Sequence, residues 1–322
     1  MTGYQKTAAL RAAVDLHAFT AIGEGASSVD AIAAKCGASQ RGVRILCDYL
    51  TVENLLEKEG ANYRLTPTSA AFLDEKSAQY MGGMFNFMNT ARALEGAAGL
   101  TEAVRKGTTR LREGGLSGNE TEEWVTFARS MQPMAKGASQ FIAQFVLSRQ
   151  KPRRILDIAA GHGLYGIAFA VHAPEASVVA QDWPKVLAVA EGNARAAGVA
   201  ERYRLMPGSA FEVDFGTGFD LVLLTNFLHH FDEATCVGFL RKVRAALETG
   251  GRVVVLEFVP NEDRVSPPIP AMFSLTMLQN TPSGNAYTET DLKRMLDAAG
   301  FASHEAMQVE RSVQKIVVSR AA

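Results

Sequence analysis

The sequence predicts an α/β fold in which a doubly wound parallel sheet follows a mostly helical N-terminal domain. From residue 153 onward, short apolar segments alternate with segments of helical periodicity, which is typical of parallel β/α units. Before about residue 105, apolar residues recur mainly at helical spacing. A stretch with four glycines, residues 107–120, separates the two regions. We therefore predict two domains, residues 1–106 and 107–322.

The composition is that of a folded protein. The 322 residues suffice for roughly two domains, 47% of them are hydrophobic, and the formal net charge is -1. These values exclude wholesale disorder, and the absence of a basic excess argues against a non-specific nucleic-acid binder. No apolar run of the sequence approaches the roughly 18 to 20 residues that span a bilayer, so we expect no membrane association. Cys36, Cys47 and Cys236 form no CxxC pair, which favours a cytoplasmic location.

The N-terminal domain contains the pattern of a winged helix. Over residues 28–56, Ser28 and Ser39 are each placed to cap a helix, and Gly37 separates the two helices. Residues 55–66 then predict two short strands joined by a tight turn. A helix-turn-helix followed by such a hairpin is found in DNA-binding proteins and in packing or dimerisation modules.

The balance of charged side chains distinguishes a DNA-binding winged helix from one used for packing or dimerisation. Residues 1–100 contain nine basic and ten acidic side chains, a balance that does little to neutralise phosphates. We therefore expect a dimerisation module and no nucleic-acid partner. Residues 7–22 predict an amphipathic helix that suits dimerisation or packing within one chain. Residues 80–100 are rich in Met and Phe, which favours a core helix or the wall of an apolar pocket.

The second domain is predicted to alternate strands and helices. The strands are expected at residues 154–159, 177–182, 202–208, 219–228 and 252–259, with closing strands at 303–310 and 314–320; the helices are expected at 164–173, 184–198, 232–251 and 288–300. In such sheets a ligand binds at the carboxyl ends of the strands.

A glycine-rich turn follows the first of these strands. The segment from Gly161 through Gly163 to Gly166 matches GxGxxG, which by itself suggests a dinucleotide. Asp157, on the strand before the turn, would repel a pyrophosphate but would suit a ligand that carries an ammonium group. Asp182, which ends the next strand, can accept hydrogen bonds from both hydroxyls of a ribose and fits either cofactor.

Five segments in order carry a resemblance: ILDIAAGHG, VVAQDWPKVL, MPGSAFE, LTNFLHHFDEATCVGFLRKVRAAL and GGRVVVLEFV. Together they resemble the class I S-adenosylmethionine-dependent methyltransferases, which have a Rossmann-like sheet. With the winged helix, the chain is similar over residues 8–318 to plant caffeate-type, bacterial natural-product and acetylserotonin O-methyltransferases. The resemblance implies S-adenosylmethionine as cofactor, a homodimer formed through the N-terminal domain, and methylation of a small aromatic or phenolic acceptor.

The resemblance also implies a set of cofactor-binding residues. Asp157 would face the ammonium group, directly or through water, and Asp182 would bind the ribose. Trp183 and Phe211 would flank the adenine, although both would equally suit an ordinary core. The complete set is Asp157, Gly161, Gly163, Asp182, Trp183, Ser209, Phe211 and Asn226. The chain departs from the family at Ala159, which is usually glycine, and at Ser209, where an acid often contacts the adenine amino group.

The paired histidines in FLHHFDEA suggest the catalytic group. A phenol with a pKa of about 10 needs a base near neutral pH, and histidine is suited to that role. The resemblance makes His229 the general base and Glu257 a carboxylate beside it, while Ala286 stands where a second carboxylate is usual. A metal bound by His229, His230, Asp232 and Glu257 is the alternative, but adjacent residues rarely bind one ion together, so we expect no metal.

The acceptor pocket is expected to be apolar. Its predicted lining comes from the helix before the sheet and from a later apolar insertion: Phe127, Met131, Met134, Met272, Phe273 and Met277. The same spacing also suits plain core packing. Because of Ala286 and Ser209, C-methylation or a non-methylating reaction on the same fold is an alternative function. A cofactor-sensing winged-helix regulator is a further one.

Overall fold

The computed structural model describes residues 2–111 and 122–322 of the chain. These form two compact units, Met1–Thr90 and Ala91–Ala322. The division falls before the predicted boundary at residue 106 because two helices, Ala91–Ala98 and Leu100–Lys106, pack against a helix of the second unit, Pro268–Asn280. None of the described helices combines the length and the apolar character needed to cross a bilayer.

The first unit contains six helices and one hairpin among its described residues. In order they are α1 (Gly3–Asp15), α2 (Ala18–Gly23), α3 (Val29–Cys36), α4 (Gln40–Val52), β1 (Leu56–Glu59), β2 (Asn62–Leu65), α5 (Pro67–Phe72) and α6 (Gly82–Met88). The predicted caps are confirmed: Ser28 Oγ accepts from the Ala31 amide at 3.2 Å, and Ser39 Oγ from the Gly42 amide at 3.1 Å. The helix-turn-helix and the hairpin are therefore present where they were predicted.

Three predicted helices have different limits in the structure. The helix predicted over residues 7–22 is broken between α1 and α2, because His17 adopts a left-handed φ of 53°. The second helix of the helix-turn-helix ends at Val52, before Asn54 with φ 58°. The Met- and Phe-rich segment forms two helices, and between them the Asn89 side chain donates to the carbonyl of Phe85 at 2.8 Å.

The second unit alternates helices and strands. In order they are α7 (Ala91–Ala98), α8 (Leu100–Lys106), α9 (Glu122–Ser130), α10 (Gln132–Leu147), β3 (Arg154–Ile158), α11 (Leu164–His172), β4 (Ser177–Asp182), α12 (Pro184–Ala196), a 3-10 turn (Ala200–Arg202), β5 (Tyr203–Pro207), β6 (Phe219–Thr225), a second 3-10 turn (Leu228–His230), α13 (Glu233–Ala246), β7 (Leu247–Glu257), α14 (Pro268–Asn280), α15 (Glu289–Ala298), β8 (Phe301–Gln308) and β9 (Lys315–Ala321).

These strands form one seven-stranded sheet in the order β5-β4-β3-β6-β7-β9-β8. The first five are parallel, and β9 is antiparallel to both of its neighbours. The chain winds outward from β3 in one direction and then returns to β6 on the other side. Ile155 and Leu156, adjacent on β3, belong to different buried clusters, so the sheet is covered on both faces. The predicted doubly wound α/β fold is confirmed.

Two element ends in this unit correct the prediction, and one predicted segment is only partly described. β6 ends at Thr225, not at residue 228, because Asn226 has a left-handed φ of 56°. β7 begins at Leu247, inside the predicted helix 232–251, with a register shift opposite Phe219 and Leu221. Most of the glycine-rich segment predicted as a loop, at residues 112–120, lies outside the described residues.

Candidate active site

The polar residues predicted for the site lie along the sheet edge where the parallel strands end. Asp157 is the penultimate residue of β3, Asp182 and Glu257 are the last residues of β4 and β7, and Asn226 follows β6. These strands are hydrogen-bonded neighbours in register. Their side chains therefore converge where the strand order reverses, which is the usual ligand site of a doubly wound sheet.

The turn between β3 and α11 requires glycine at one position and leaves space at another. Gly163 has φ 76°, and a Cβ there would lie 2.6 Å from the Tyr203 hydroxyl oxygen. Gly161 has φ 57°, and the nearest atom to a Cβ there would be the Ala159 carbonyl oxygen at 3.9 Å. The Gly161 amide donates to Asp182 Oδ2 at 2.8 Å. The turn therefore leaves room beside Gly161 for a ligand to approach the backbone closely.

Ala159 is the residue of this turn that we expect to be strained. Its φ of 50° is left-handed, a conformation that costs a non-glycine residue about 1–2 kcal/mol. Ala159→Gly should therefore leave the stability unchanged or raise it slightly, whereas Ala160→Gly should destabilise, because buried Ala160 has no positive φ. We expect the two unfolding free energies to differ by about 1–2 kcal/mol in urea denaturation. Equal destabilisation by both substitutions would show that Ala159 is not strained.

Asp157 presents a buried carboxylate oxygen that has no partner. Its Oδ2 accepts from the Gly166 amide at 2.9 Å, while Oδ1 is inaccessible to solvent and makes no hydrogen bond. Burial raises the pKa of Asp157 to about 7. An unpaired buried carboxylate is costly unless a cation or a donor reaches it. The site therefore fits the ammonium group of the predicted cofactor.

Asp182 and Trp183 join β4 to α12. The Asp182 carboxylate accepts from the Trp183 amide at 2.7 Å, in addition to the Gly161 amide, so its position at the turn is fixed. Trp183 is the N-cap residue of α12 and packs against a buried cluster formed by Val125, Ala128 and Val186. Trp183 therefore has core contacts on one side, and its role in binding adenine stays a prediction.

Ser209 and Phe211 lie on the loop after β5. Ser209 Oγ accepts from the Phe211 amide at 3.3 Å. The Phe211 side chain is 44% exposed, and its ring contacts those of Phe231 and Phe239 with centroids 5.0 Å away in each case. The Lys242 ammonium donates a hydrogen bond to the Phe211 carbonyl at 2.9 Å, which stabilises the loop after β5. Phe211 thus presents a partly exposed aromatic face, as binding of an adenine ring would require.

Two glutamines that the sequence reasoning missed hold this edge together. Gln181 is buried, accepts from the Ala159 amide at 3.3 Å and donates to the Gly208 carbonyl at 2.6 Å, so it links the glycine turn to the loop after β5. Gln314 donates to the side-chain oxygen of Asn226. In the strand VVAQD, a second polar residue directly before Asp182 was a usable signal for Gln181; no local signal existed for Gln314.

His229 and Glu257 form a buried pair. His229 Nδ1 lies 2.6 Å from Glu257 Oε2, and the two side chains are 7% and 2% exposed. Glu257 Oε1 accepts from the backbone amides of Phe227 at 3.1 Å and Leu228 at 2.9 Å. These two amides hold the carboxylate in place, so that it can accept a hydrogen bond from a proton on His229 Nδ1. Nε2 of the same ring is then unprotonated and can act as a base. The structure thus brings together the two residues predicted to be catalytic.

The loop before α15 packs on the backbone of His229. The Asn285 amide donates to the His229 carbonyl at 2.9 Å, and a Cβ on Gly284 would overlap that carbonyl oxygen. Ala286 is fully buried, and its amide donates to Ser274 Oγ at 3.3 Å. The loop therefore fixes the main chain of His229, and Ala286 itself offers no carboxylate.

His230 lies beside His229, with ring centroids 4.3 Å apart. Burial, and secondly the neighbouring His229, hold the pKa of His230 well below its ordinary value. Among the described residues, no group of three or more His, Cys, Asp or Glu side chains is arranged to hold a metal ion.

The predicted pocket residues differ in their surroundings. The Phe273 ring meets that of His229 edge-on at 4.9 Å and stacks on Phe258 at 4.2 Å. Phe127 contacts Trp124, which in turn lies edge-on to His230 at 5.7 Å. The methionines are less uniform: Met277 is buried, Met131 is partly buried, and Met134 and Met272 are 41% and 61% exposed. Trp124 and Phe258 were missed because nothing in the sequence links them to the histidines.

Models of two known protein domains match the chain. The model of the O-methyltransferase domain matches residues 100–302, and that of the O-methyltransferase dimerisation domain matches residues 1–75. The chain is 30% identical to a 3-hydroxy-5-methyl-1-naphthoate 3-O-methyltransferase of Streptomyces sahachiroi, over 93% of this chain and 87% of that protein.

Solved structures of other proteins match nearly the whole chain, and two of them serve as examples. A Nostoc punctiforme protein provisionally assigned as an O-methyltransferase has 46% identity and a TM-score of 0.95, covering 99% of this chain and 96% of that one. Human N-acetylserotonin methyltransferase, solved with S-adenosylmethionine, has 24% identity and a TM-score of 0.86, covering 99% of this chain and 94% of that one. At 24% identity, the similarity to the human protein supports only the fold of this chain.

Proposed function

Since the chain belongs to the O-methyltransferase family, an S-adenosylmethionine-dependent group of EC class 2.1.1, we propose that it methylates a hydroxyl group of a small aromatic molecule with His229 as general base. The observation that carries the base assignment is the buried contact of 2.6 Å between His229 Nδ1 and Glu257 Oε2. This contact orients the imidazole and leaves Nε2 to receive a proton.

S-adenosylmethionine, when bound, supplies a methyl group that its positively charged sulfur has already activated. The chain must then align the acceptor and remove the acceptor proton. Asp157 would hold the ammonium group, Asp182 the ribose and the Gly161 backbone the adjoining chain of the cofactor. Gly163, Trp183, Ser209, Phe211 and Asn226 complete the proposed set of cofactor-binding residues.

The proton of the acceptor hydroxyl would pass to Nε2 of His229. Glu257 would then stabilise the imidazolium, because its carboxylate already lies against Nδ1. General-base catalysis of this kind contributes about 10² to 10⁴ to the rate. Phe273 and Trp124 contact the two histidines with ring edges, which favours an acceptor that is flat and apolar apart from its hydroxyl groups.

A methyl-transfer screen tests this proposal. Purified protein, S-adenosylmethionine and a panel of phenols, hydroxynaphthoates and hydroxyindoles are incubated and read by mass spectrometry, with the methyl carbon of each product located by NMR. We expect at least one acceptor to gain a single methyl group on oxygen. Failure to bind S-adenosylmethionine, or products methylated only on carbon, would contradict the proposal.

C-methylation is a second candidate, favoured by one observation. Ala286 is fully buried at the position where the resemblance places a second carboxylate, so among those two positions only Glu257 supports His229. A less firmly held base would suit an acceptor that needs little help to lose its proton. The NMR position of the new methyl group in the same screen distinguishes carbon from oxygen.

We also propose that the N-terminal domain, predicted as a winged helix, makes the protein a homodimer in the cytosol. The match to a dimerisation domain supports it. So does an exposed apolar patch on α1 and α4, where Tyr4 and Ile45 line one shallow groove and are 73% and 44% exposed. All three cysteines are free thiols, as a reducing compartment would keep them.

Ile45→Glu is expected to shift the protein from dimer to monomer. A charge placed in the centre of an apolar interface should raise the dimer dissociation constant by roughly 30-fold or more, measured by sedimentation equilibrium. Val171→Glu on α11 is the matched control, because Val171 is 45% exposed and lies outside the N-terminal unit. If Ile45→Glu remains as dimeric as the control, the patch is not the interface.

A further inference from the structure

The side-chain ammonium of Lys242 binds main-chain oxygens of the loop after β5, residues 208–218. From α13, its Nζ donates hydrogen bonds to the carbonyls of Ala210 and Phe211, each at 2.9 Å. The same Nζ lies 4.5 Å from the centroid of the Phe215 ring, which is within the range of a cation–π contact. The positive charge of Lys242 is therefore directed at this one loop.

Packing alone does not explain a charged residue at position 242. Burial lowers the pKa of Lys242, and the charge of Asp214 offsets this only in part. By contrast, Lys293 on α15 is also partly buried but contacts the carboxylate of Glu289 at 2.8 Å. A methionine at position 242 would fill similar space without the cost of removing water from a charge. The carbonyls that Lys242 binds therefore account for its charge better than packing does.

The first four residues of the loop all have hydrogen-bonded carbonyls. Gln181 of β4 donates to the carbonyl of Gly208 at 2.6 Å, where the loop begins. The Ser209 carbonyl accepts the amides of residues 212 and 213, each at 3.0 Å, which closes a turn within the loop. The next two carbonyls are those that bind Lys242. Lys242 therefore supplies the donor for two of four consecutive carbonyls, and its removal should loosen the loop at that point.

The same helix contacts both the ring and the carbonyl of Phe211. The ring is 44% exposed and packs against Phe239 of α13 with centroids 5.0 Å apart, and Phe239 precedes Lys242 by three residues. Ring contacts of this kind are apolar and leave the ring free to tilt. Hydrogen bonds are directional, so the bond from Lys242 to the Phe211 carbonyl fixes the main chain that carries the ring. Lys242 therefore sets the direction in which the exposed face of the Phe211 ring is presented.

We propose that Lys242 is a positioning residue for cofactor binding, because its two hydrogen bonds to the loop after β5 hold the Phe211 ring where it meets the adenine of S-adenosylmethionine. This inference rests on the proposed function, in which Phe211 is one of the cofactor-binding residues. Lys242 touches neither the cofactor nor the acceptor in this proposal. Its replacement should therefore change the affinity for the cofactor and leave the rate of methyl transfer at saturating cofactor unchanged.

Lys242→Met tests the proposal, because methionine keeps the length of the side chain and removes its donors. We expect the Kd for S-adenosylmethionine, measured by isothermal titration, to rise about 10-fold, with kcat at saturating cofactor within about twofold of the wild type. Lys242→Arg keeps a charged donor and should restore the Kd to within about threefold. Lys293→Met is the matched control, because it also removes a partly buried ammonium and one hydrogen bond, and it should leave the Kd unchanged.

A double-mutant cycle shows whether Lys242 acts through the Phe211 ring. Phe211→Ala alone should raise the Kd for S-adenosylmethionine about 10-fold, since it removes an aromatic contact with a base. In that background, Lys242→Met should raise the Kd by no more than about twofold further, because the ring that it positions is absent. General damage to the fold would instead give Lys242→Met the same effect with and without Phe211.

Several outcomes would overturn the inference and leave the proposed function standing. These are an unchanged Kd in Lys242→Met or in Phe211→Ala, additive effects of the two substitutions, and a loss confined to kcat. Failure of the wild type to bind S-adenosylmethionine overturns the proposed function itself.

Discussion

Replacing His229 by alanine is expected to lower the rate of methyl transfer by a factor of about 10² to 10⁴. The affinity for S-adenosylmethionine should change by no more than about twofold, because the proposed base acts on the acceptor and not on the cofactor. The physical reason is that a phenol is mostly protonated near neutral pH, and the chain provides a histidine held by Glu257 at 2.6 Å to take that proton. Single-turnover kinetics with isothermal titration of the cofactor measures both quantities.

His172→Ala is the control for this substitution. His172 is exposed on α11 and hydrogen-bonded to Gln140 at 2.6 Å, so its replacement also removes an imidazole and one hydrogen bond but leaves the site intact. The control should retain the wild-type rate. If His229→Ala kept full activity, His229 would be removed from the mechanism; if cofactor binding disappeared as well, the rate loss would reflect a disrupted site.

Replacing Asp157 by asparagine is expected to weaken binding of S-adenosylmethionine by about 10- to 100-fold. The carboxylate oxygen Oδ1 has no partner in the protein, so the ammonium of the cofactor would form a charge-assisted contact that an amide cannot match. Asp220→Asn is the control, because Asp220 also accepts backbone amides, those of Arg153 and Arg154, but at the opposite edge of the sheet. Equal affinity of the two variants would contradict the role of Asp157.

The same carboxylate should make cofactor binding depend on pH. Burial raises the pKa of Asp157 to about 7, so the free protein holds a neutral carboxylic acid below that pH and a carboxylate above it. Only the carboxylate attracts the ammonium, so affinity should rise by up to about tenfold per unit as pH increases toward 7, and then level off. Without cofactor, the raised pKa stabilises the fold at acidic pH, and this contribution is lost as pH rises through about 7. Asp157→Asn should remove both dependences.

The parts of the site that could be predicted are those set by local sequence. The turn from Asp157 to Gly163 and the proposed base His229 lie in short segments whose residues contact one another or the adjacent strand end. Glu257 was predicted from the family resemblance, at the end of the segment VVVLE. Contacts such as that of Gln314 with Asn226, 88 residues apart in the chain, depend on how the last hairpin packs and have no local signal. The contact of Trp124 with His230 was missed because it, too, joins residues that are far apart in the chain and has no local signal.

The ends of helices and strands were predicted less well than their existence. His17, Asn54 and Asn226 each take a left-handed φ and end or interrupt an element. Such a conformation is unusual for residues other than glycine. The apolar periodicity of the sequence continues past these residues and therefore does not predict that the element ends there. At Asn226 the error matters, because the strand ends at Thr225 and His229 lies in a 3-10 turn, whereas the prediction placed it directly after a strand that reached residue 228.

The most direct test of the account compares two acceptors of different acidity. A nitrophenol is largely ionised at pH 8 and needs little help from a base, whereas an unsubstituted phenol of pKa about 10 needs it. The rate of methyl transfer to each is measured for the wild type and for His229→Gln. If His229 is the general base of an O-methyl transfer, the substitution should slow the reaction of the phenol at least about tenfold more than that of the nitrophenol. An equal loss with both acceptors would contradict it.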